Sequence, residues 1–350
     1  MKAAVLVQFR EPLEVRELPD PTPGPGDAVV RVEACGICRS DWHAWQGDWT
    51  WAGVQLNLPR VLGHEFGGVV EAVGEQVRSF KPGDRVTVPF HLACGRCEYC
   101  YSGRSNICLA YGAIGFHHDG GYGKLVLVPN ADVNLVRLPD NVDFATAAAL
   151  GCRYMTAYHA LADRALVRPG EWVAVFGVGG VGLSAVQIAS GLGAQVVAVD
   201  ISDAKLSLAR AEGAVETVNA TGGDMVKRIK QITGGGAHVS VDALGSVNTA
   251  LPSVLSVRKG GRHVQVGLTG QQEKGMIPLP VDAMVFQEVS FIPSFGCPVT
   301  SYPGLLSLVS AGKLDPRRLV TRTVRVEDAT SVLQAMTEFG TTGFTVITHW

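Results

Sequence analysis

Between Asp27 and Pro139 the apolar positions fall in short runs, VVRVEACG, GGVVEAVG, DRVTVPF and KLVLVPN, separated by Gly and Pro. Short β-branched runs punctuated in this way predict an irregular, largely antiparallel β domain. At Glu171 the pattern changes. WVAVFGVGGVG leads into an Ala- and Leu-rich helical stretch, and QVVAVDI, DAKLSLARAEG, VETVNA, DMVKRIKQITG, HVSVDALG and RHVQVGL continue with strand and helix periods in alternation. Strands separated by helices of about ten residues predict an α/β domain, a doubly wound parallel sheet with right-handed crossovers. After about Phe291 come one helical stretch, PGLLSLVSAG, and the strand-like VRVEDA and FTVIT. These are too few elements for a separate domain, so they are expected to return to the N-terminal one. The Pro-rich PDPTPGPGD near the start reads as a loop between early strands.

Composition restricts the setting. A chain of 350 residues holds about two domains of ordinary size. Its net charge of −2 and dispersed Lys and Arg residues argue against nucleic acid or a membrane surface as partner. The start, MKAAVLVQFREPLEV, carries charge and proline too early for a signal peptide. No apolar stretch approaches the roughly 18 residues needed to span a bilayer. A cytoplasmic, reducing location is therefore expected, which disfavours disulfides.

Against that background, four of the eight cysteines, Cys94, Cys97, Cys100 and Cys108, crowd one short stretch. CxxCxxC followed by a fourth cysteine places four thiolates on tight turns, where they can fill every position around a tetrahedral Zn²⁺. Such a closed site is structural. Gly95, Ser102 and Gly103 let the loop fold back, and Arg96 helps keep thiolates ionised. A disulfide pair is the competing reading.

Gly177, Gly179, Gly180 and Gly182 form GxGGxG directly after a strand and before a helix. The glycines permit a tight turn, close approach of backbone to a pyrophosphate and close packing of helix on strand. Asp200, at the end of the next strand, can accept hydrogen bonds from adenosine ribose hydroxyls and repel a 2′-phosphate, favouring NAD over NADP. The lesser alternative is that Asp200 only caps the next helix, but Ser202 and Asp203 are better placed for that. Outside the cysteine cluster stand Cys38, in ACGICRSDWH, His64, in GHEFGGVVEAVG, and Cys152, in ALGCRYMT. Singly, each reads as core packing. Together they make a Cys₂His set with one coordination position left open, as in catalytic zinc.

These residues resemble the medium-chain zinc-dependent alcohol dehydrogenase family. GHEFGGVVEAVGEQV matches the family's signature and CGICRSDWH the segment carrying its first catalytic ligand, with the four-cysteine lobe and GxGGxG in the family's order. The resemblance implies a mostly β, GroES-like catalytic domain over 1–153 with its structural zinc lobe at 94–108. A Rossmann NAD-binding domain over 154–292 follows, and 293–350 return to the catalytic domain. It implies Cys38, His64 and Cys152 as catalytic zinc ligands, with Glu65 behind the metal as an indirect or transient ligand. Asp41 would hold the second ring nitrogen of His64. Ser40 and His43 would form a proton relay, though a serine and a histidine here also serve as ordinary caps and turns. Arg39 would meet the pyrophosphate and Lys205 the adenosine ribose, while Thr156, Val181, Val266 and Leu268 would surround the nicotinamide. Near the C-terminus many relatives carry an Arg to the pyrophosphate, whereas TTGFTVIT places Phe344 there. A homotetramer, or a homodimer, is also implied.

Trp42, Trp45, Trp49 and Trp51 crowd one decade of sequence, and the first three are spaced by three and four, one face of a helix, which reads as core. By resemblance, Trp49 and Phe90 line the alcohol pocket. Two large rings favour slim primary alcohols, aliphatic or aromatic, over bulky secondary ones. A polyol or secondary-alcohol dehydrogenase is the alternative, although polyol relatives often carry Glu where Cys152 stands. A zinc-stabilised nucleotide-binding module and a zinc-free quinone or enone reductase are the competing classes. Neither needs both ligand sets. Cys35 and Cys297 read as buried thiols.

Overall fold

The computed structural model describes residues 1–49 and 56–350, so Trp51 lies outside the described residues. It divides into two compact units, Met1–Met155 with Gly296–Trp350, and Thr156–Phe295.

The first unit is built on two long strands, β1 (Ala28–Ile37) and β2 (Glu65–Val73), paired antiparallel with Gly36 opposite Glu65. Their register has a direct consequence. The residue just after β1, Cys38, and the residue just before β2, His64, leave the sheet side by side. On one face of the pair, Ile37 and Phe66 pack with Leu62, Ile114 and Tyr122, all fully buried. The strand Phe344–His349 covers the other edge of β1, with Thr345 opposite Ile37 and Ile347 opposite Cys35. Of VRVEDA, only the first residues are strand; Val326–Asp328 form a 3₁₀ turn. A helix at Ala329–Thr337, not foreseen in the sequence reading, buries Ala329, Val332, Leu333 and Met336, a helical spacing.

Helix α1 (Arg39–Gln46) starts immediately after Cys38, its N-cap, and Asp41 in its first turn reaches back to that residue's backbone. Gly47, at φ 67°, ends it. The single helical face expected for Trp42, Trp45 and Trp49 is therefore corrected. Trp45 is buried and its indole N–H donates to the Glu11 carbonyl at 2.7 Å, but Trp49 lies beyond the Gly47 turn and is free to point elsewhere.

In the second unit six parallel strands lie in the order β5-β4-β3-β6-β7-β8. They are β3 (Trp172–Phe176), β4 (Gln195–Asp200), β5 (Ala214–Asn219), β6 (Ala237–Asp242), β7 (Val257–Gln265) and β8 (Ser290–Pro293). The central strands read as unbroken apolar runs because helices cover both faces. Chain order reverses at β3, placing the glycine-rich turn at the carboxyl end of the strand where nucleotide sites form. Helix α2 (Gly180–Gly191) follows that turn.

Phe176 is fully buried on β3 among Ala174, Val197, Val199 and Ile229. Phe176→Ala is expected to lower the stability of this unit by about 3–5 kcal/mol, read from its transition in urea unfolding followed by circular dichroism.

Candidate active site and metal centres

The cysteine lobe converges as its spacing demands. Gly95 and Gly103, at φ 70° and 75°, make the two reversals. The four sulfurs lie within 4.8 Å of one another, with Cys97 and Cys100 at 3.5 Å and Cys97 and Cys108 at 3.8 Å. All four thiols are free, and these separations far exceed a disulfide's S–S bond of about 2 Å. Backbone N–H groups of Cys94 and Ala110 donate to the Cys108 sulfur at 3.3 Å. Those of Leu109 and Cys100 bring the Cys97 thiol down to about 6. Amide donors aimed at sulfur are what a thiolate cluster around a cation requires.

The dispersed set assembles from three separate segments. Cys38 caps α1, His64 precedes β2, and Cys152 sits in the irregular helical segment Leu150–Tyr154, which Gly151 kinks. A Cβ on Gly151 would lie 2.5 Å from the Cβ of Glu65, so glycine is what lets this segment close on β2. Donor atoms of Cys38, His64, Glu65 and Cys152 all fall within 4.8 Å of one another. Behind them Asp41 is fully buried. Its Oδ2 accepts from the Cys38 N–H at 2.8 Å, and its Oδ1 from the Gly63 N–H at 3.1 Å and from His64 Nδ1 at 2.9 Å. A carboxylate only accepts, so Nδ1 donates to it, and Nε2 is the ring nitrogen left to ligate when a cation displaces its proton. That Nε2 is buried without a hydrogen-bond partner. A buried, unpartnered ring nitrogen grouped with two cysteine sulfurs suits a borderline-soft cation such as Zn²⁺.

The electrostatics follow from crowding. A hydrogen bond from Cys152, and then His64, lower the Cys38 thiol well below its usual range, while the same Cys38 contact and burial push Cys152 up. Burial acts to lower His64, but Asp41 and Cys38 outweigh it and hold the imidazole well above its ordinary value. Burial pushes the Glu65 carboxyl up to about 7, with Arg153 pulling against it. Arg153 escaped the sequence reading. It donates to both Glu65 oxygens, and its guanidinium lies 3.7 Å over the ring of Phe344. Phe344, which stands where many relatives are expected to carry an Arg, is fully buried with the Arg153 guanidinium over its ring.

Beside this set lie three aromatic rings. Phe90 is 6.0 Å and Phe116 5.5 Å from the His64 ring, and Trp49 is 6.4 Å from Phe116. Phe116, on the loop after Gly115, had no sequence signal. Ser40 Oγ is 3.9 Å from the Cys38 sulfur. His43 Nδ1 pairs with Asp48 Oδ2 at 2.7 Å, and its ring stacks on Trp49 at 4.6 Å. Burial lowers His43, against the pull of Asp48. Arg39 is engaged within the chain, donating to the Met336 carbonyl and lying over Trp42 and Phe339, and burial brings it down to about 10.

In the second unit, Gly177 turns at φ 80° and Gly179 caps α2. A Cβ on Gly182 would stand 1.9 Å from the Gly177 carbonyl oxygen, so only glycine fits there. Asp200 accepts from the N–H of Val178 at 2.9 Å and of Ser202 at 3.0 Å, binding the glycine turn to the end of β4. Ser202 caps the following helix through the Lys205 N–H. Gly180 and Val181 open α2, and Val266 and the exposed Leu268 follow β7. Thr156 Oγ1 is buried without a partner. This cradle fits a dinucleotide pyrophosphate at a helix N-terminus.

A GroES-like β unit joined to a doubly wound parallel sheet, with two cysteine-rich donor sets, defines the class of zinc-binding dehydrogenases. Residues 24–140 match the family model of the alcohol dehydrogenase GroES-like domain, and residues 180–311 that of zinc-binding dehydrogenase. An alcohol dehydrogenase of Geobacillus stearothermophilus is 42% identical over 84% of both chains. An NAD-dependent alcohol dehydrogenase of Sulfurisphaera tokodaii is 33% identical over 99% of both. Among solved structures, alcohol dehydrogenase TADH from Thermus sp. ATN1 aligns over 100% of both chains with a TM-score of 0.91 at 32% identity. The chain belongs to the medium-chain zinc-dependent alcohol dehydrogenase family and is an oxidoreductase. Among the described residues no helix is long and apolar enough to cross a membrane.

Asp41→Asn takes the charge from the group that fixes His64 Nδ1–H. Zinc affinity at the dispersed set is expected to fall about 10–100-fold, measured by competition with a chromophoric chelator.

Proposed function

We propose that this enzyme oxidises slim primary alcohols, aliphatic or aromatic, to aldehydes with NAD, at a zinc held by Cys38, His64 and Cys152. A second zinc, held by Cys94, Cys97, Cys100 and Cys108, would fix the lobe. The observation that carries this reading is His64 Nε2, buried without a hydrogen-bond partner and grouped with the sulfurs of Cys38 and Cys152. When bound, zinc lowers the pKa of an alcohol hydroxyl and NAD accepts the hydride.

The chain's own residues supply orientation and proton export. Asp41 keeps His64 in the tautomer that leaves Nε2 free to ligate. Ser40 Oγ takes the hydroxyl proton, and His43, held at Nδ1 by Asp48, receives it at Nε2. One alcohol and one NAD⁺ then give one aldehyde, one NADH and one released proton. Trp49 and Phe90, with Phe116, wall the reacting carbon and exclude branched chains and water. In the second unit, Gly177, Gly179, Gly180 and Gly182 admit the pyrophosphate, and Asp200 repels a 2′-phosphate. Thr156 Oγ1 offers a hydrogen bond to the nicotinamide amide, Val181, Val266 and Leu268 pack on its ring, and Lys205 meets the adenosine ribose. Arg39 would have to leave the Met336 carbonyl to reach a phosphate.

Eight free cysteines fit a reducing, cytoplasmic setting. Exposed Met276, Val281, Val285 and Phe286 on the second unit fit burial in a homotetramer or homodimer.

Cys38→Ser is expected to lose one zinc per chain and nearly all alcohol oxidation while keeping its circular dichroism spectrum. Retained turnover would refute the assignment. Across ethanol, hexanol, benzyl alcohol, 2-butanol and sorbitol, kcat/KM with NAD should rank hexanol and benzyl alcohol above 2-butanol and sorbitol. The reverse order would favour the polyol or secondary-alcohol reading.

A further inference from the structure

Arg153 is a charged residue inside the apolar run ATAAALGCRYMT, one position after Cys152. It is 5% exposed, and its partner Glu65 is fully buried. Three donors of Arg153 converge on that carboxylate. The backbone N–H and Nε reach Oε1 at 3.0 and 2.9 Å, and a terminal guanidinium nitrogen reaches Oε2. The Phe344 ring lies beneath the guanidinium at 3.7 Å, a cation–π contact. The aromatic residue that replaces an expected cation at 344 thus supports a cation supplied from 153.

Glu65 matters because of where it stands. One of its oxygens lies within 4.8 Å of the donor atoms of Cys38, His64 and Cys152. With an oxygen already that near, a carboxylate released to close the remaining distance would complete a set of four protein ligands, the closed arrangement of structural zinc, and shut the alcohol out. We propose that Arg153 is a positioning residue that holds Glu65 back from the metal and so keeps the substrate's coordination position open. The inference rests on the reading of Cys38, His64 and Cys152 as the catalytic zinc ligands. Arginine suits the task because its planar fork engages both carboxylate oxygens at once, which an ammonium does not. The backbone N–H of Arg153 adds a bond that ties the Cys152 segment to the same carboxylate, so ligand and clamp are set together.

The test uses the full-length protein with cobalt(II) exchanged into the dispersed site, titrated with imidazole, a neutral ligand for an open coordination position. The visible cobalt bands report binding independently of turnover. In Arg153→Gln, imidazole is expected to bind about tenfold more weakly or worse, with kcat reduced in parallel in the zinc enzyme. The double variant Glu65→Gln/Arg153→Gln removes both buried charges together and is expected to return imidazole affinity to that of the unaltered protein. A merely structural Arg153 would lower thermal stability, and removal of the carboxylate would not restore imidazole binding. Arg153→Lys keeps the charge balanced and gives the same reading should Arg153→Gln not fold: weakened imidazole binding supports the clamp, and unchanged binding overturns it. Unchanged affinity in Arg153→Gln, or no recovery in the double variant, likewise overturns it. A cobalt protein without thiolate charge-transfer absorption before any substitution at Arg153 would instead overturn the zinc reading and this inference with it.

Discussion

One buried carboxylate organises the catalytic unit. Asp41 accepts from the backbone of Cys38, from the backbone of Gly63 and from the ring of His64, and it is fully buried while doing so. Burying an anion is costly unless every lone pair finds a donor, and here the donors belong to the pieces that must be held together. Through Asp41 the start of α1, the turn before β2 and the imidazole share one anchor. The antiparallel register of β1 and β2 brings those pieces close, and Asp41 fixes their last ångström. Cys152 joins from a third segment, which approaches closely because Gly151 has no side chain to meet Glu65.

The two cysteine sets answer different physical problems. In the lobe the four sulfurs come from one short stretch, so local turns suffice and amide donors stabilise charge on sulfur. Every position around a cation would be taken by protein. In the dispersed set the donors come from segments far apart in sequence, held by a sheet and a helix terminus. That arrangement depends on the whole unit, and it can leave one direction unoccupied by a ligand from the chain.

This difference explains what the sequence disclosed. The cysteine lobe, the glycine-rich turn and the alternation of strands with helices are local patterns, fixed by spacing and period, and they read directly. The β1 and β2 runs were legible as strands, though not their register. Trp49 was misread because helical spacing continues past Gln46 while the helix does not; Gly47 ends it in a left-handed turn, and Trp49 stacks on His43 instead. Phe116 and Asp48 reach the His64 and His43 rings through loop conformations that no periodicity encodes. Phe344 was legible as a departure from the family, but not its neighbour: the guanidinium of Arg153, distant in sequence, lies over that ring.

Charge balance connects these elements. Asp41, Glu65 and the sulfurs of Cys38 and Cys152 gather acidic groups in one region, the first three residues buried and Cys152 half-buried. Arg153 offsets Glu65, and His64 offsets Asp41, while the contact between the two sulfurs draws the Cys38 thiol down and pushes that of Cys152 up. A divalent cation substitutes for protons in such a cluster, because thiolate and neutral imidazole are the forms that ligate. The same buried groups that would be destabilising alone therefore favour a metal strongly. In that cluster the geometry of the fold brings the two sulfurs together, and the Glu65 carboxylate beside them is paired with the Arg153 guanidinium.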